Sequence, residues 1–378
     1  MSDRGYQICT NCVMDTTDPG ISFDSTGKCK YCNNYEARIL PEWKSLQATG
    51  QQSIAEKIRN EGAGKDFDCI IGLSGGLDSS YLTHVAVKEM GLRPLLFHVD
   101  AGWNTRQAVA NIERLIDGLG LELYTEVVNW EGMKDFHRAF FKSQISDQDI
   151  PQDAVFFSAM YRFARKNRIK YVLTGANYSL ECVREPEEWG GYLGIDRKLI
   201  GAIHRKFGDR KTLDVPIVDI FVYRFVYRWL LGMRVLAPLN MVNYKKADAE
   251  KLLFDEYGWE AFQHKHHESR FTRFFEDYWL PQKFQYQKRR AHFSSLILTE
   301  QMGRDAAIER LKQPELSKKE LQREFEYVAE KLDFTLEELK EIENAPNKTW
   351  AEYPNRRQII DIGRRVYRVL GLDTRTVK

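Results

Sequence analysis

The sequence predicts an α/β fold built on a doubly wound parallel sheet, with a cysteine-rich segment before it and a mostly helical region after it. Three observations lead there. Short apolar runs alternate with amphipathic stretches between residues 68 and 174. Four of the six cysteines crowd into the first 32 residues, and the alternation lapses after about Gly190. Strands separated by helices of this length need crossover connections, which pair them in parallel.

The first strand is the run Asp68 to Leu73, which leads into a Gly-rich turn and a helix from about Ser79 to Met90. Pro94 to Asp100 is a second strand and Arg106 to Leu119 a second helix. Glu122 to Asn129, a helix from Asp153 to Asn167, and Lys170 to Thr174 complete the alternation. Ligands on such sheets sit beyond the carboxyl ends of the strands. Three polar clusters fall there: Ser74 to Ser80, Asp100 to Trp103, and Gly175 to Glu181. Farther on, Ser317 with Glu320 and Thr335 with Glu338 are capping boxes that start two terminal helices. Leu321, Phe325, Val328 and Leu332 recur at helical spacing and belong to a core face. The expected division is 1–45 for the cysteine segment, 46–200 for the sheet, and 201–378 for a helical region that binds substrate or partner.

Cys9, Cys12, Cys29 and Cys32 form two C-x2-C pairs separated by sixteen residues. That spacing is a structural zinc ribbon's, with four thiolates closing a tetrahedron and no position left for chemistry. Four free thiols or two disulfides are the alternatives, and a reducing compartment disfavours the latter. So short a segment buries too little apolar surface to fold unaided. Cys69, in an apolar strand, reads as core.

Composition narrows the function classes. The 378 residues are 43% hydrophobic and 29% charged, an ordinary globular mixture. A net charge of +2 gives no electrostatic case for a nucleic-acid or membrane partner. No run approaches the roughly 18 apolar residues of a membrane span. Met1 to Asn11 carries no apolar targeting core, so the expected location is cytoplasmic.

The segment Ser74-Gly75-Gly76-Leu77-Asp78-Ser79-Ser80 carries the most chemistry. Two glycines after a buried strand let backbone N–H groups approach an anion, and the following helix aims its positive end at the same spot. Ser74, Ser79 and Ser80 add hydroxyls, and Asp78 can hold magnesium. The Gly-Lys-Ser/Thr ending of a Walker A loop is missing, which removes support for ordinary kinase or GTPase chemistry. This Ser-Gly-Gly-x-Asp-Ser segment resembles the PP-loop of the ATP pyrophosphatases, which have the adenine nucleotide alpha hydrolase-like fold. That resemblance implies cleavage of ATP between its α- and β-phosphates. It also implies nucleotide contacts near His98, Asp100 and Gly102. Thr174-Gly175-Ala176-Asn177 is similar to the group's later strand-end motif. Glu181 falls where related synthetases place a second magnesium ligand, although a solvated loop glutamate reads equally well.

End to end, the chain resembles the N-acetyl sugar amidotransferase family of bacterial surface-polysaccharide biosynthesis. The matching stretches are Cys9-x2-Cys12 through Pro19 with Phe23-Asp24, Cys29-x2-Cys32, the Ser74 loop, and Thr174 to Asn177. His267 to Glu276 and Lys288 to Ser295 complete them. The resemblance implies an ATP- and magnesium-dependent synthetase subunit that converts an acetamido group of a nucleotide-activated sugar into an acetamidino group. Asp78, Ser79, Arg289 and Arg290 would be catalytic. Ser74, Gly75, Gly76, Ser80, Asp100, Gly175 and Asn177 would join Asp78 and Ser79 in holding the nucleotide. Asp78 and Glu181 would hold magnesium. His267, Arg270, Arg273, Arg289 and Arg290 would bind the anionic substrate. Between Lys265 and Arg290 there are seven Lys or Arg against three acids, and guanidinium forks suit phosphates. A solvated basic face is the plain alternative. No glutaminase motif is evident. The resemblance therefore implies a separate glutaminase subunit and an ammonia-conducting barrel subunit, similar to the histidine-pathway synthase pair. A tRNA thiolation enzyme with persulfide on Cys182, and a non-catalytic ribbon adaptor, are the rival readings. The near-neutral charge weighs against tRNA, and the Ser74 loop against an adaptor.

Overall fold

A computed structural model describes residues 5–189 and 194–369. The expected ends of the cysteine segment (1–4) and of the helical region (370–378), with the stretch 190–193 near the expected loss of alternation, lie outside the described residues.

Five parallel strands form one sheet in the order β3-β2-β1-β4-β5. They are β1 (Cys69–Gly72), β2 (Pro94–Asp100), β3 (Leu123–Val127), β4 (Tyr171–Leu173) and β5 (Arg234–Leu236). Successive side chains of a strand point to opposite faces. Ile71, Leu96, Tyr171 and Leu173 accordingly enter one apolar core, and Ile70, Leu95, Phe97 and Val172 the other. Burial on both faces is why these strands read as continuous apolar runs. At the β3 edge Tyr124 and Val127 are exposed. β5 comes from the stretch expected to be helical. Its three residues pair Arg234, Val235 and Leu236 with Tyr171, Val172 and Leu173.

The chain runs outward from β1 to β3, then returns to β4 on the other side of β1. The carboxyl ends of β1 and β4 thus flank the crevice where the winding reverses. The turn after β1 contains Gly75 at φ +83°, where a Cβ would stand 2.5 Å from the Ala108 carbonyl oxygen. No L side chain fits that approach. A Cβ on Gly175 after β4 would stand 3.0 Å from the Asp78 backbone carbon, so glycine lets the two turns lie against each other.

Helices dominate the C-terminal region. Ser317 and Thr335 both make reciprocal capping boxes, starting helices Lys318–Lys331 and Leu336–Asn344. Phe325, Val328 and Leu332 are buried in an aromatic core with Trp103, Phe271, Phe274 and Trp279. Trp103 follows β2, so that core seats the helical region on the sheet's functional edge.

The cysteine segment is fastened to helix Arg289–Leu298 and to the helix after it. Arg290 pairs with the fully buried Asp15 at 2.9 Å and donates to the Val13 carbonyl at 2.9 Å. Arg304 donates to the carbonyls of Cys9 (2.7 Å) and Cys12 (3.1 Å). The Val13 N–H donates to Ser294 Oγ at 3.2 Å. Removing one partner of a buried pair strands the other charge. Asp15→Ala is therefore expected to lower the unfolding free energy in urea by about 3 kcal/mol. A loss under about 1 kcal/mol would show that the pair does not hold the segment in place.

Candidate nucleotide site and metal centre

The metal centre is the simpler of two chemical sites. The four sulfurs of Cys9, Cys12, Cys29 and Cys32 lie within 4.8 Å of one another and are fully buried. Cys9–Cys32 is 3.8 Å; Cys12–Cys29 and Cys29–Cys32 are 3.6 Å. Four sulfurs about 2.3 Å from a tetrahedral ion would stand about 3.8 Å apart, so the set fits a metal and is too open for disulfides. Backbone N–H groups of Asn11, Cys12 and Cys29 donate to Cys9 Sγ, and that of Met14 to Cys12 Sγ. Such donors stabilise thiolate charge.

The second site is at the β1–β4 crevice. No side chain caps the helix Leu77–His84, so its first N–H groups are left to an anion. Ser74 Oγ and Ser79 Oγ lie 3.1 Å apart, and the Gly76 N–H donates to Ser74 Oγ at 3.2 Å. A cavity of about 650 Å³ opens here, lined by Ser74, Gly76, Asp78, Ser79, Gly175 and the apolar Met160 and Val218. It meets a second cavity of about 690 Å³ lined from the C-terminal region by Glu276, Asp277, Lys288 and Arg289. Glu181, His264, Lys265 and His266 line both.

Charge at the partition is tightly arranged. Asp78 Oδ1 accepts from the Tyr244 hydroxyl at 2.5 Å and from Asn177 Nδ2 at 3.1 Å. Lys265 Nζ lies 2.5 Å from Glu181 Oε1 and 3.7 Å from Asp78 Oδ2. Burial raises the Asp78 pKa, which the Lys265 ammonium only partly offsets. Burial acts the same way on Glu181, but there Lys265 prevails and the carboxyl is held below its usual value. Among the described residues, no third ligand joins Asp78 and Glu181 to make a protein-only metal cage. Magnesium is ordinarily held by one or two carboxylates together with substrate phosphates, and these two residues fit that demand.

Deeper in the second cavity Lys288 Nζ faces Glu185 (3.2 Å), Glu276 (3.4 Å) and Asp149 (3.8 Å). Burial opposes its charge, yet those carboxylates hold its pKa well above normal. Burial pushes Asp149 well up and Asp153 to about 6. His266 Nδ1 sits 3.1 Å from Glu276 Oε1. Burial disfavours the imidazolium, but Glu276 outweighs it and lifts His266 to about 9. In return Glu276 falls to about 2.

The residues named from sequence are distributed as follows. Ser74, Gly75, Gly76, Asp78 and Ser79 form the loop, while Ser80 is fully buried behind it. Gly175, Asn177 and Glu181 gather about Asp78. Asp100 accepts from the Gly102 N–H (2.8 Å) and Asn104 (3.2 Å), organising the turn after β2. His98 bridges the Leu73 carbonyl and Asn104. Arg289 reaches the second cavity, where it pairs with Glu315 (2.7 Å) and donates to the Leu311 and Gln313 carbonyls. The other basic residues named from sequence line neither cavity and are held by protein partners. Arg290 holds the ribbon. Arg270 and Arg273 both pair with the buried Glu324, and Arg270 also covers the Tyr327 ring. His267 is buried against Asp277 at 2.8 Å. Sequence reasoning missed Lys265, Tyr244 and the carboxylates around Lys288. Only the density of His and Lys from His264 to His267 hinted at the first.

Residues 268–367 match the family model "LPS biosynthesis protein WbpG-like, C-terminal domain". The WbpG-like segment thus supplies Glu276, Lys288 and Arg289 to the second cavity. No curated protein matches the chain. Among solved structures it is similar to the NH3-dependent NAD synthetase from Campylobacter jejuni in complex with the nitrate ion. Identity there is 15% over 36% of this chain and 58% of that chain, with a TM-score of 0.27. The NMN synthetase from Francisella tularensis gives 16% identity over 54% and 91%, with a TM-score of 0.27. The U34-tRNA thiolase NcsA from Methanococcus maripaludis with its 4Fe-4S cluster gives 15% over 83% and 91%, at 0.34.

Two outcomes check the geometry. The purified protein is expected to hold one metal ion per chain on four thiolates, and Cys12→Ser to lose it; elemental analysis without metal in a folded protein would contradict the centre. The His266–Glu276 pair makes a pH prediction. His266 has a folded pKa above its unfolded value, so its stabilisation is complete below about pH 6.5 and lost as pH rises through about 9. The imidazole is 41% exposed, so the effect is screened. His266→Gln is expected to flatten the fall in melting temperature between these two pH values; an unchanged slope would contradict the pairing.

Proposed function

We propose that this chain is an ATP-dependent, AMP-forming amidotransferase synthetase subunit acting on an acetamido group of a nucleotide-activated sugar. The observation that carries the reading is the shared wall. The Ser74 loop opens into a cavity that meets a second one lined by the WbpG-like segment, and Lys265 stands between them. One cavity suits a nucleoside triphosphate and the other a second anionic substrate.

The chemistry follows from the amide's weakness as an electrophile. Its oxygen attacks the α-phosphorus of ATP, pyrophosphate departs into the loop, and an O-adenylyl imidate forms. Ammonia adds at the imidate carbon, AMP leaves with the former carbonyl oxygen, and an amidine remains. The Ser74 loop's N–H groups and hydroxyls hold the departing charge. The Lys265 ammonium reaches either side of the wall, and Arg289 and Lys288 present positive charge to the sugar nucleotide. Magnesium on Asp78 and Glu181 would neutralise phosphate charge. Zinc on the four thiolates would be structural.

Nitrogen would arrive as ammonia from a separate glutaminase through a barrel subunit. All six cysteines are buried, and burial raises the thiol of Cys69 and pushes Cys182 up to about 12. Neither lone thiol is poised for glutamine hydrolysis or for carrying persulfide sulfur to tRNA. Among the described residues no helix is long and apolar enough to cross a membrane, and the proposed setting is the cytoplasm.

Turnover is expected to yield AMP and pyrophosphate only with an acetamido nucleotide sugar and ammonium present, with glutamine inactive until a glutaminase is added. Asp78→Asn is expected to lower kcat by about 10²–10³. Pyrophosphate release driven by tRNA instead, or ADP as product, would sink the reading.

A further inference from the structure

Two side chains of the segment Lys265–Glu268 sit where a metal–polyphosphate ligand would sit. The Lys265 ammonium lies between the carboxylates of Asp78 and Glu181. Glu268 Oε1 accepts from Ser74 Oγ at 3.3 Å, and a Cβ on Gly76 would stand 2.6 Å from that same oxygen. A cation therefore faces the acids, and an anion faces the loop whose helix end favours anions. The segment is tied to the end of β2 by Thr105 N–H donating to the Glu268 carbonyl (3.0 Å) and Arg270 N–H to the Trp103 carbonyl (2.9 Å). Between the two charges His266 adopts φ +62°, a left-handed conformation uncommon outside glycine.

We propose that Lys265 and Glu268 are the protein's own surrogates for the metal ion and the phosphate, and that they impose an order of binding. Divalent cation is excluded from Asp78 and Glu181 until nucleotide arrives. Triphosphate displaces the Glu268 carboxylate from the loop and offers the Lys265 ammonium a new anion. Asp78 and Glu181 are then released to the ion. This rests on the ATP-binding half of the proposed function and not on the sugar or the nitrogen source. It also assigns Lys265 and Glu268, neither of them evident as a site residue from sequence, to setting metal and nucleotide affinity.

The test uses metal-loaded ribbon protein, Mn2+ followed by electron paramagnetic resonance, and inorganic pyrophosphate followed by calorimetry. Wild-type protein is expected to take up Mn2+ only with a non-hydrolysable ATP analogue. Lys265→Met is expected to bind Mn2+ without nucleotide, roughly a hundredfold tighter than wild type, because a unit charge about 4 Å away has been removed. Glu268→Gln is expected to bind metal-free pyrophosphate about fivefold tighter. Wild-type protein that binds Mn2+ equally well without nucleotide would overturn the proposal, as would either variant showing no gain. If Lys265→Met folds poorly, Mn2+ alone should raise its melting temperature. Melting alike with and without added Mn2+, in buffer free of chelator so that the ribbon keeps its metal, contradicts the proposal. ADP-forming turnover alongside the expected binding results would sink the AMP-forming reading and leave this ordering intact.

Discussion

The Lys265 ammonium is wedged between two carboxylates that the sheet forces together. Asp78 lies in the first turn of the helix after β1, and Glu181 ends the short helix after β4. Because β1 and β4 are parallel neighbours, their carboxyl ends deliver both acids to one crevice. Like charges brought this close repel, and a cation between them favours the charged form of both. Tyr244 and Asn177 fix the Asp78 carboxylate, so the cation must come to it. The C-terminal region supplies that cation, which ties the placement of its aromatic core to the electrostatics of the sheet.

The same logic recurs one step away. Lys288 gathers Asp149, Glu185 and Glu276 in the second cavity, and His266 adds a second positive partner to Glu276. Burial raises the Asp149 and Glu185 pKa values, while Lys246, Lys265, Lys288 and Arg289 give the cavity wall its cationic side. The ribbon, by contrast, is electrostatically closed. Its thiolates face one another and backbone N–H groups, and its attachment relies on Arg290 and Arg304 binding its carbonyls and Asp15.

Legibility from sequence tracked how local each signal was. Pro94 to Asp100 and Arg106 to Leu119 were bounded to the residue, because apolar runs and the Thr105 cap act within a few positions. The four cysteines and two capping boxes are likewise encoded at fixed short spacings. β5 was missed: three residues following an aromatic, arginine-rich helix carry too little periodicity, and pairing with β4 defines them. The basic tract shows the opposite failure. Counting Arg270, Arg273 and Arg290 suggested phosphate binding, but composition cannot reveal Glu324 and Asp15, their distant buried partners. Lys265 was overlooked for the same reason, since its acids lie far earlier in the chain.

The proposed chemistry turns on attack of the substrate's own carbonyl oxygen on the α-phosphorus of ATP. An acetamido nucleotide sugar carrying 18O in that carbonyl, turned over with ATP and ammonium, tests it most directly by mass spectrometry of the products. With that chemistry the label is expected in the phosphate of AMP, one atom per turnover. Unlabelled AMP, or label appearing in inorganic phosphate, would contradict it.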